Sequence, residues 1–456
     1  MFDPQSPLFT DLYQLAMLQA YREYGLDGPA VFELFVRKLP ARRGFLMAAG
    51  LEQALDYLET LRFDAASLDY LRQSGRFPSD FLDWLQDLRF TGDVDALPEG
   101  TIFFPDEPII RVTAPLPEAQ LVETRLLNLI HFETVVASKA ARMVLAAPGK
   151  LLVDFGLRRA HGAEAGLLAA RAAYIAGFAG TATVLAGACF DIPLYGTMAH
   201  SFIEAHDNET LALEHFARAR PEGLVLLIDT YDTERAAEQV VALARRLANA
   251  GIAVRGVRLD SGDLADHALR VRAILDAGGL RETIIFASGG IDEDQLAAFS
   301  RERTPIDGFG IGASLTTSSD APALDCAYKI QAYDGIPRRK LSLGKANWPG
   351  AKQVWRQFDA NGAIRGDLVA PAGEHHDALA LLQPVMRRGQ RITASPPIVD
   401  VRRQAAAALR ALPPPLAALQ ALRYPVVIAE SLHRMAEVCD RRIEAAQAPP
   451  DGPRGY

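Results

Sequence analysis

A histidine after a short apolar run is the residue of this chain best suited to nucleophilic chemistry. His200 lies in the stretch Gly196-Thr-Met-Ala-His-Ser-Phe202, which follows Asp191-Ile-Pro-Leu-Tyr195. A Gly-Thr turn after a strand would place His200 on a loop, where neutral imidazole is a good nucleophile and general base near pH 7. A histidine that caps a helix would give the same sequence, so this residue alone leaves both interpretations open.

Acidic residues follow two further apolar runs. Asp260 and Ser261 lie in Arg258-Leu-Asp-Ser-Gly-Asp263, and Asp229 begins Asp229-Thr-Tyr231. Two carboxylates and a serine beside an arginine could hold Mg²⁺, ribose hydroxyls or a diphosphate. The alternatives are structural: a turn that leads into a capped helix after Arg258, and a helix N-cap at Asp229.

Glycine-rich segments follow the last two apolar runs of the same region. Ser288-Gly-Gly290 contains Gly289 and Gly290, and Gly310-Ile-Gly312 contains Gly310 and Gly312. Without Cβ atoms, backbone N–H groups can approach an anion closely, and a helix start adds a favourable dipole. Turns also use such glycines, but two loops in succession predict a phosphate site.

Basic residues supply two more candidate anion sites. Arg158 and Arg159 follow a predicted strand, where a planar guanidinium group suits a carboxylate or phosphate, although a surface arginine pair is the alternative. The segment 338–356 contains no acidic residue. We expect its basic side chains to form a surface that attracts polyphosphate rather than nucleic acid, namely Arg338, Arg339, Lys340, Lys345, Lys352 and Arg356.

The elements that position these residues alternate between strand and helix from residue 150 onward. Strands are predicted over 151–154, 181–185, 194–195, 224–229, 254–259, 284–287 and 306–309, and helices over 163–177, 233–250, 264–277 and 293–299. This order predicts a parallel sheet, and six or seven such units favour an irregular TIM-like α/β barrel over an open sheet. The loops after the strands of such a barrel carry its chemistry.

The flanking sequence predicts a second, mixed layer. Helices are expected over 8–24, 45–61 and 115–147, and strands over 29–39 and within 90–112; later strands near 328–333 and 353–358 could join this N-terminal layer. We therefore expect an N-terminal α+β domain (1–114), the barrel (115–325), a β-rich return to the N-terminal domain (326–400) and a helical C-terminal arm (401–456).

The composition excludes several classes of protein. Hydrophobic residues make up 49% of the chain and charged residues 23%, which provides a large core and excludes general disorder. The formal net charge of -8 argues against a dedicated nucleic-acid binder. The 3 cysteines form no CxxC pair, which argues against a disulfide framework and a thiolate zinc site. We predict no secretory signal, no membrane span and a cytoplasmic location.

Taken together, these motifs resemble those of the nicotinate phosphoribosyltransferase family. The resemblance extends over nearly the whole chain, and its motifs are specific in combination rather than singly. They are Thr10-Asp-Leu-Tyr-Gln-Leu15, Phe35-Val-Arg-Lys-Leu-Pro40, Asp154-Phe-Gly-Leu-Arg-Arg-Ala160, Gly196-Thr-Met-Ala-His-Ser-Phe202, Val257-Arg-Leu-Asp-Ser-Gly-Asp263, Gly308-Phe-Gly-Ile-Gly312, Lys340-Leu-Ser-Leu-Gly-Lys345 and Tyr424-Pro-Val426.

The resemblance implies an enzyme that joins nicotinate to phosphoribosyl diphosphate, releases diphosphate and nicotinate mononucleotide, and hydrolyses ATP in a coupled step, with Mg²⁺ on the phosphates. It implies that ATP phosphorylates His200, that Tyr13, Thr197 and Arg258 contact nicotinate, and that Thr317 contacts the phosphoribosyl donor. It also implies a homodimer in which Tyr13 of one subunit lies near the barrel mouth of the other.

Physical reasoning adds roles to this set. Displacement of diphosphate from C1′ passes through an oxocarbenium-like state, so carboxylates such as Asp260 would offset positive charge on the ribose. An arginine, Arg258 or Arg158, would bind the carboxylate of nicotinate and reject the neutral amide.

Two departures from the family pattern and three rival functions accompany this resemblance. Thr181-Ala-Thr-Val184 stands where the family usually has Thr-Ser-Asn-Val, and Ala313 replaces a usual threonine. The nearest rival is a phosphoribosyltransferase that uses nicotinamide. A phosphate-binding barrel isomerase or lyase would explain the glycine loops but not the segment around His200, and a non-enzymatic binding protein is the weakest alternative.

Overall fold

The computed structural model describes residues 3–342, 347–419 and 422–447 of the chain. The chain forms two compact units, Met1–Val135 with Ala323–Tyr456, and Val136–Pro322. The domain boundaries expected from the sequence, after residues 114 and 325, stay a prediction.

The helices are α1 (Leu12–Glu23), α2 (Leu51–Thr60), α3 (Ala65–Gln73), α4 (Ser79–Asp87), α5 (Leu116–Leu121), α6 (Glu123–Ala146), α7 (Ala163–Ala176), α8 (Val184–Phe190), α9 (His200–Glu204), α10 (Glu209–Ala219), α11 (Thr233–Ala248), α12 (Leu264–Ala277), α13 (Glu293–Glu302), α14 (Ala313–Thr316), α15 (Ile398–Arg410), α16 (Pro414–Ala417) and α17 (Glu430–Gln447). A short 3₁₀ helix covers Leu157–Arg159.

The strands are β1 (Pro29–Val36), β2 (Leu46–Met47), β3 (Asp93–Ala96), β4 (Ile102–Phe103), β5 (Pro108–Pro115), β6 (Leu151–Asp154), β7 (Gly180–Thr181), β8 (Val225–Leu227), β9 (Gly256–Leu259), β10 (Ile284–Ser288), β11 (Gly308–Ile311), β12 (Cys326–Tyr333), β13 (Ile336–Pro337), β14 (Lys352–Phe358), β15 (Ile364–Pro371), β16 (Leu379–Ala380), β17 (Gln383–Arg387), β18 (Gln390–Arg391) and β19 (Val426–Ile428).

A seven-stranded sheet forms the frame of the first unit, in the order β13-β12-β1-β5-β3-β17-β18. Strand β12 pairs antiparallel with β1, with Ala30 opposite Tyr333 and Val36 opposite Cys326. Chain from after the central unit therefore completes the N-terminal sheet, as the sequence predicted for 328–333. The buried face of β1 includes Phe32, Leu34 and Val36, which supply the apolar surface that makes this pairing stable.

The predicted strand at 353–358 does not join that sheet. It forms β14, which belongs to a separate four-stranded sheet in the order β16-β14-β15-β19. Strand β15 follows β14 directly in the chain, so a hairpin pairs the two before any distant partner is needed. The tail predicted as helical also contributes β19 to this sheet, in parallel with β15.

The second unit contains a six-stranded parallel sheet in the order β7-β6-β11-β10-β9-β8. Its strands bury apolar residues on both faces, as parallel sheets covered by helices do. Beyond β7, Thr181 forms an isolated parallel bridge with Leu194. Within the described residues, the strand pairing runs from Leu194 to β8 and does not close, so the unit is a mixed α/β fold with a parallel sheet, and the closed barrel stays a prediction.

Several predicted elements differ from the structure at their ends, and in two of them a local cause is clear. The strand expected over 181–185 stops at Thr181, whose Oγ1 accepts the N–H of Thr183 at 3.0 Å in a tight turn before helix α8 begins. The helix expected over 45–61 begins only after Gly50, which has φ +94° and lies so close to Leu129 that a Cβ would be 2.9 Å from its carbonyl oxygen.

No helix in the described part of the chain is long and apolar enough to cross a membrane.

Candidate active site

The carboxyl ends of the parallel strands bring polar side chains to one edge of the six-stranded sheet. Asp154 is the last residue of β6, Ser288 is the last residue of β10, and Asp260 directly follows β9. Asp229 follows β8 after one further buried residue, Ile228. In parallel α/β folds this edge is where ligands bind, because the loops after all strands meet there.

His200 is the first residue of helix α9 rather than part of a loop, and its imidazole faces this edge. Its Nδ1 lies 3.1 Å from the hydroxyl oxygen of Thr230. Its Nε2 lies 3.9 Å from Oδ1 of Asp229 and 3.7 Å from Oδ2 of Asp260. These separations are longer than a hydrogen bond, and 37% of the His200 side chain is exposed, so Nε2 remains accessible between two carboxylates.

The two carboxylate oxygens of Asp229 have different environments. Its Oδ2 accepts the backbone N–H of Asp260 at 2.8 Å and the hydroxyl of Ser261 at 2.6 Å. Its Oδ1 is buried and has no hydrogen-bond partner in the described part of the chain. The first oxygen therefore fixes the loop after β9, while the second is left facing Nε2 of His200.

The N-cap alternative for Asp229 is wrong, whereas the turn that leads into a capped helix after Arg258 is present, with Asp263 and not Asp260 as the cap. Helix α11 is capped by Asp232, whose side chain accepts the N–H of Arg235, and helix α12 is capped by Asp263, which accepts the N–H groups of Ala265 and Asp266. Asp229 and Asp260 are thus free of the capping role that would have explained them.

Asp260 is bound on one side by an arginine and a serine. Its Oδ1 accepts the Ser288 hydroxyl at 2.5 Å and lies 3.1 Å from Nη2 of Arg258. Burial raises the pKa of the Asp260 carboxyl, but the Ser288 hydrogen bond and the positive charge of Arg258 outweigh it, so the net pKa lies below the ordinary value. Asp260 is therefore held as a carboxylate.

Arg258 is almost fully engaged within this unit. Its Nε donates to the Ser288 hydroxyl at 2.9 Å, and its Nη1 donates to Thr197 Oγ1 at 3.3 Å and to the Met198 carbonyl at 3.1 Å. The guanidinium carbon lies 5.6 Å above the ring of Phe155. The structure thus brings the predicted residues Thr197 and Arg258 together and leaves 11% of the arginine side chain exposed.

The glycines of the predicted phosphate loops fall into two groups. Gly289 and Gly290 are exposed after β10 with φ +96° and +68°, and none of the described residues accepts a hydrogen bond from their backbone N–H groups. Gly312 lies in the loop after β11, but Gly310 lies inside β11 and is buried, where a Cβ would meet the Phe155 ring at 2.4 Å. Gly310 is a glycine because Phe155 occupies that space, and its predicted loop position is wrong.

Ser288, Thr230 and Asp154 belong to the site but were not predicted as site residues from the sequence. Each follows or ends an apolar run, which is the same signal that selected Asp229. Asp154 accepts the Thr181 hydroxyl at 2.6 Å and the Gly156 N–H at 2.8 Å. Burial raises its pKa, although both hydrogen bonds act in the opposite direction.

Three predicted residues stand apart from this cluster of contacts. Tyr13 belongs to the first unit, where it lies on α1 and its hydroxyl accepts a hydrogen bond from Gln14. Arg158 is exposed on the 3₁₀ helix after β6, with no hydrogen bond or ion pair to any described residue. The Thr317 hydroxyl donates to the Ala313 carbonyl at 2.7 Å. The ligand roles of these residues stay predictions.

The predicted basic surface over 338–356 is wrong for two of its residues. Lys352 is buried and lies 2.7 Å from Glu33, and Arg356 is buried and lies 2.6 Å from Asp367. Lys345 lies outside the described residues. The absence of acids within this segment does not leave Lys352 and Arg356 unpaired, because their neutralising carboxylates come from other strands.

The donor set between Asp229 and Asp260 fits a hard cation. No group of three or more His, Cys, Asp and Glu side chains that could hold a metal occurs in the described ranges. Mg²⁺, however, is usually held by one or two carboxylates together with substrate phosphates. Two oxygens here could serve as such ligands. One is the unpartnered Oδ1 of Asp229, and the other is Oδ2 of Asp260, because Ser288 and Arg258 both contact Oδ1 of Asp260.

Two sequence profiles match the chain. The profile of the nicotinate phosphoribosyltransferase N-terminal domain matches residues 8–131, and that of the nicotinate phosphoribosyltransferase family matches residues 151–334. A nicotinate phosphoribosyltransferase of Mycobacterium tuberculosis is 49% identical over 445 residues, covering 97% of this chain and 96% of its own. The nicotinate phosphoribosyltransferase of Bacillus subtilis is 39% identical over 377 residues, covering 81% of this chain and 76% of its own.

A solved structure is similar over almost the same length. The crystal structure of human nicotinic acid phosphoribosyltransferase superimposes with a TM-score of 0.85 at 29% sequence identity, covering 94% of this chain and 99% of that chain.

Proposed function

The chain belongs to the nicotinate phosphoribosyltransferase family, and we propose that it couples the synthesis of nicotinate mononucleotide to ATP hydrolysis through a phosphohistidine at His200. The enzyme is a nicotinate phosphoribosyltransferase, as its relatives are named, and nicotinate and 5-phosphoribosyl 1-diphosphate as substrates follow from the family. The ATP step, the residues that perform it, a homodimeric assembly and a cytoplasmic location are the proposed parts. No observation favours the isomerase or lyase alternative.

The transfer step makes one bond and breaks one. The ring nitrogen of nicotinate attacks C1′ of the donor with its electron pair, and the bond from C1′ to the diphosphate oxygen breaks with its electrons on the leaving group. Positive charge builds on the ribose between these events, and Asp260, held as a carboxylate by Arg258 and Ser288, is placed to offset it. The exposed N–H groups of Gly289 and Gly290 are the proposed cradle for the donor's phosphate.

The observation that carries the phosphohistidine proposal is the environment of the two His200 nitrogens. Thr230 lies within hydrogen-bond distance of Nδ1, so a proton on Nδ1 can be donated to that hydroxyl. Nε2 then keeps its lone pair, and it has no hydrogen-bond partner in the described residues that would occupy it. Attack of Nε2 on the γ-phosphorus of ATP would release ADP, and later attack by water would release phosphate and restore the imidazole.

Asp229 and Asp260 are the residues that would hold Mg²⁺, with their uncommitted oxygens. Bound there, Mg²⁺ supplies positive charge that neutralises phosphate oxygens. The chain's own part is to keep both acids oriented: Ser288 and Arg258 hold Asp260, while the Asp260 N–H and Ser261 hold Asp229.

The choice of nicotinate over its amide rests on arginine. Arg258 already bonds Thr197, and both residues lie at the strand edge where the reaction is proposed. We propose that the nicotinate carboxylate takes up the exposed part of this guanidinium group, aided by Arg158 and by Tyr13. A neutral amide would leave that charge less well paired, which selects against nicotinamide.

Transfer of label from γ-labelled ATP tests the proposal most directly. We expect the wild-type protein to acquire acid-labile label and to release diphosphate faster with ATP than without it. His200→Ala should acquire no label, lose ATP hydrolysis and keep a slow, ATP-independent transfer. His161→Ala, which changes an exposed histidine after the 3₁₀ helix, is the matched control and should label normally. Equal labelling of wild type and His200→Ala would place the phosphoryl acceptor elsewhere.

A further inference from the structure

Two histidines outside the catalytic cluster lie in direct contact. Nε2 of His206 is 3.1 Å from Nδ1 of His215, and the two rings are inclined at 60°. His206 lies between helices α9 and α10, and His215 lies on α10. His206 is half-buried against Phe202, whereas His215 is exposed, so the gap between the two nitrogens opens to water.

A backbone carbonyl fixes the tautomer of His206. Its Nδ1 lies 2.8 Å from the carbonyl oxygen of Phe202, which can only accept a hydrogen bond. The proton of neutral His206 is therefore on Nδ1, and the lone pair of Nε2 points at His215. Histidines that bind metals typically use this arrangement, with one nitrogen donating to a carbonyl and the other on the metal.

We propose that His206 and His215 form a two-histidine site for a divalent transition-metal ion of the Zn²⁺ class. A zinc–nitrogen bond is about 2.0–2.1 Å, so two nitrogens 3.1 Å apart subtend an angle of about 100° at a shared ion. An opening of a few tenths of an ångström would give the tetrahedral angle. Water fills the remaining positions, since no third His, Cys, Asp or Glu ligand is available in the described ranges.

Binding requires a change of tautomer at His215 besides the small opening between the two rings. In the metal-free protein its Nδ1–H donates to Nε2 of His206. When the ion takes both lone pairs, that proton moves to Nε2 of His215, and the exposed ring lets solvent carry the transfer. No net proton or electron is exchanged, and the ion replaces one weak hydrogen bond with two coordinate bonds.

The site connects the segment that carries His200 to its neighbour. Helix α9 begins at His200, and His206 follows its end after Ala205, while His215 belongs to α10. Phe202 packs tilted against His206 and edge-on against Phe216, so the metal would add to an existing contact between the two helices. Occupancy should therefore stiffen the segment between α9 and α10.

Titration of the full-length, untagged protein with Zn²⁺ after removal of metals by chelation tests the proposal. We expect one equivalent to bind, with affinities that follow Mn²⁺ < Co²⁺ < Ni²⁺ < Cu²⁺. His215→Gln and His206→Gln should each weaken this binding at least tenfold. The melting temperature of the wild type should rise with Zn²⁺, and that of His215→Gln should not.

A second set of variants distinguishes Zn²⁺ binding at this histidine pair from binding at the catalytic site. His200→Ala should bind Zn²⁺ at the His206–His215 pair as tightly as the wild type, and so should His161→Ala. Unchanged affinity in both His206→Gln and His215→Gln would overturn the proposal. The proposal would also be overturned if His200→Ala no longer bound one equivalent of Zn²⁺ while His215→Gln still did. That result would place the ion at the catalytic acids.

Discussion

Asp260 is the side chain whose charge, rather than shape, the reaction needs. Asp260→Asn keeps the size and one acceptor for Ser288 but removes the negative charge beside His200. We expect kcat to fall about 100-fold, as when a preorganised electrostatic group is removed, with little change in melting temperature. Steady-state kinetics and thermal unfolding on the same preparation measure both.

Asp263→Ala is the matched control for that change. Asp263 caps helix α12, three residues further along the same loop, through the N–H groups of Ala265 and Asp266. Its removal should cost about 1 kcal/mol of stability while kcat stays near the wild-type value. If both variants lose activity equally, the loop rather than the Asp260 charge is responsible.

Arg258 should affect both nicotinate binding and the acid side of the pH profile. Arg258→Gln removes a charge-assisted contact worth about 1.5–3 kcal/mol, so KM for nicotinate should rise at least tenfold. Arg258 also helps to lower the pKa of Asp260. The ionised form of Asp260 therefore stabilises the fold above the ordinary aspartate pKa, and this contribution is lost as pH falls through the lowered pKa.

In Arg258→Gln the pKa of Asp260 should rise, so this stabilising contribution should shrink, and the acid limb of kcat/KM should move to higher pH. Arg246→Gln, at an exposed pair with Glu214, should shift neither. An unmoved acid limb together with an unchanged KM would remove Arg258 from both roles.

The chemistry-bearing residue types could be predicted from the sequence because His200, Asp229, Asp260 and Arg258 all stand at the ends of apolar runs. The contacts among these residues could not be predicted. Ser288 binds both Arg258 and Asp260 from a different strand, and which oxygen of Asp229 stays free depends on distances that no local pattern records. The same limit made Lys352 and Arg356 look like surface charges.

The turn after β10 depends on one glycine far more than on its neighbour. A Cβ on Gly289 would lie 2.2 Å from the Asp260 carbonyl oxygen, whereas a Cβ on Gly290 would meet nothing within 4 Å. Gly289→Ala must displace the Asp260 backbone, so we expect lower kcat and a higher KM for phosphoribosyl diphosphate. Gly290→Ala should cost only about 1 kcal/mol of stability, from its positive φ.

Kinetics and unfolding of Gly289→Ala and Gly290→Ala distinguish two effects: the close approach of Gly289 to the Asp260 carbonyl, and the strain of a positive φ. Equal losses of activity would show that strain, and not contact with the Asp260 loop, governs this turn.

The strands and helices themselves were predictable where periodicity was strong, as for β6 and α12, whose bounds agree with the sequence. They were not predictable where a side chain ended an element, as Thr181 does, or where pairing depended on distant chain, as in the sheet of β14, β15 and β19.

The assembly of two chains provides a test of Tyr13. If Tyr13 of one subunit completes the active site of the other, as the family resemblance implies, the Tyr13→Ala and Asp260→Asn variants should each have low activity alone. When the two variants are mixed, dissociated and allowed to reassociate, the mixture should recover roughly a quarter of wild-type activity. The reason is that about half of the dimers are mixed, and each mixed dimer contains one intact site. Sedimentation would establish the dimer, and a mixture no better than its components would place Tyr13 outside the site.

The two uncommitted oxygens beside Nε2 of His200 bear on thermodynamics as well as on binding. A phosphoryl group there would bring about two more negative charges next to Asp229 and Asp260, and like-charge repulsion would raise the free energy of the phosphorylated state. The nitrogen–phosphorus bond would then have a high group-transfer potential, and the phosphoenzyme should return its phosphoryl group to ADP. Asp229→Asn should lower that potential, which would appear as slower exchange of label between ADP and ATP and a longer-lived phosphoenzyme.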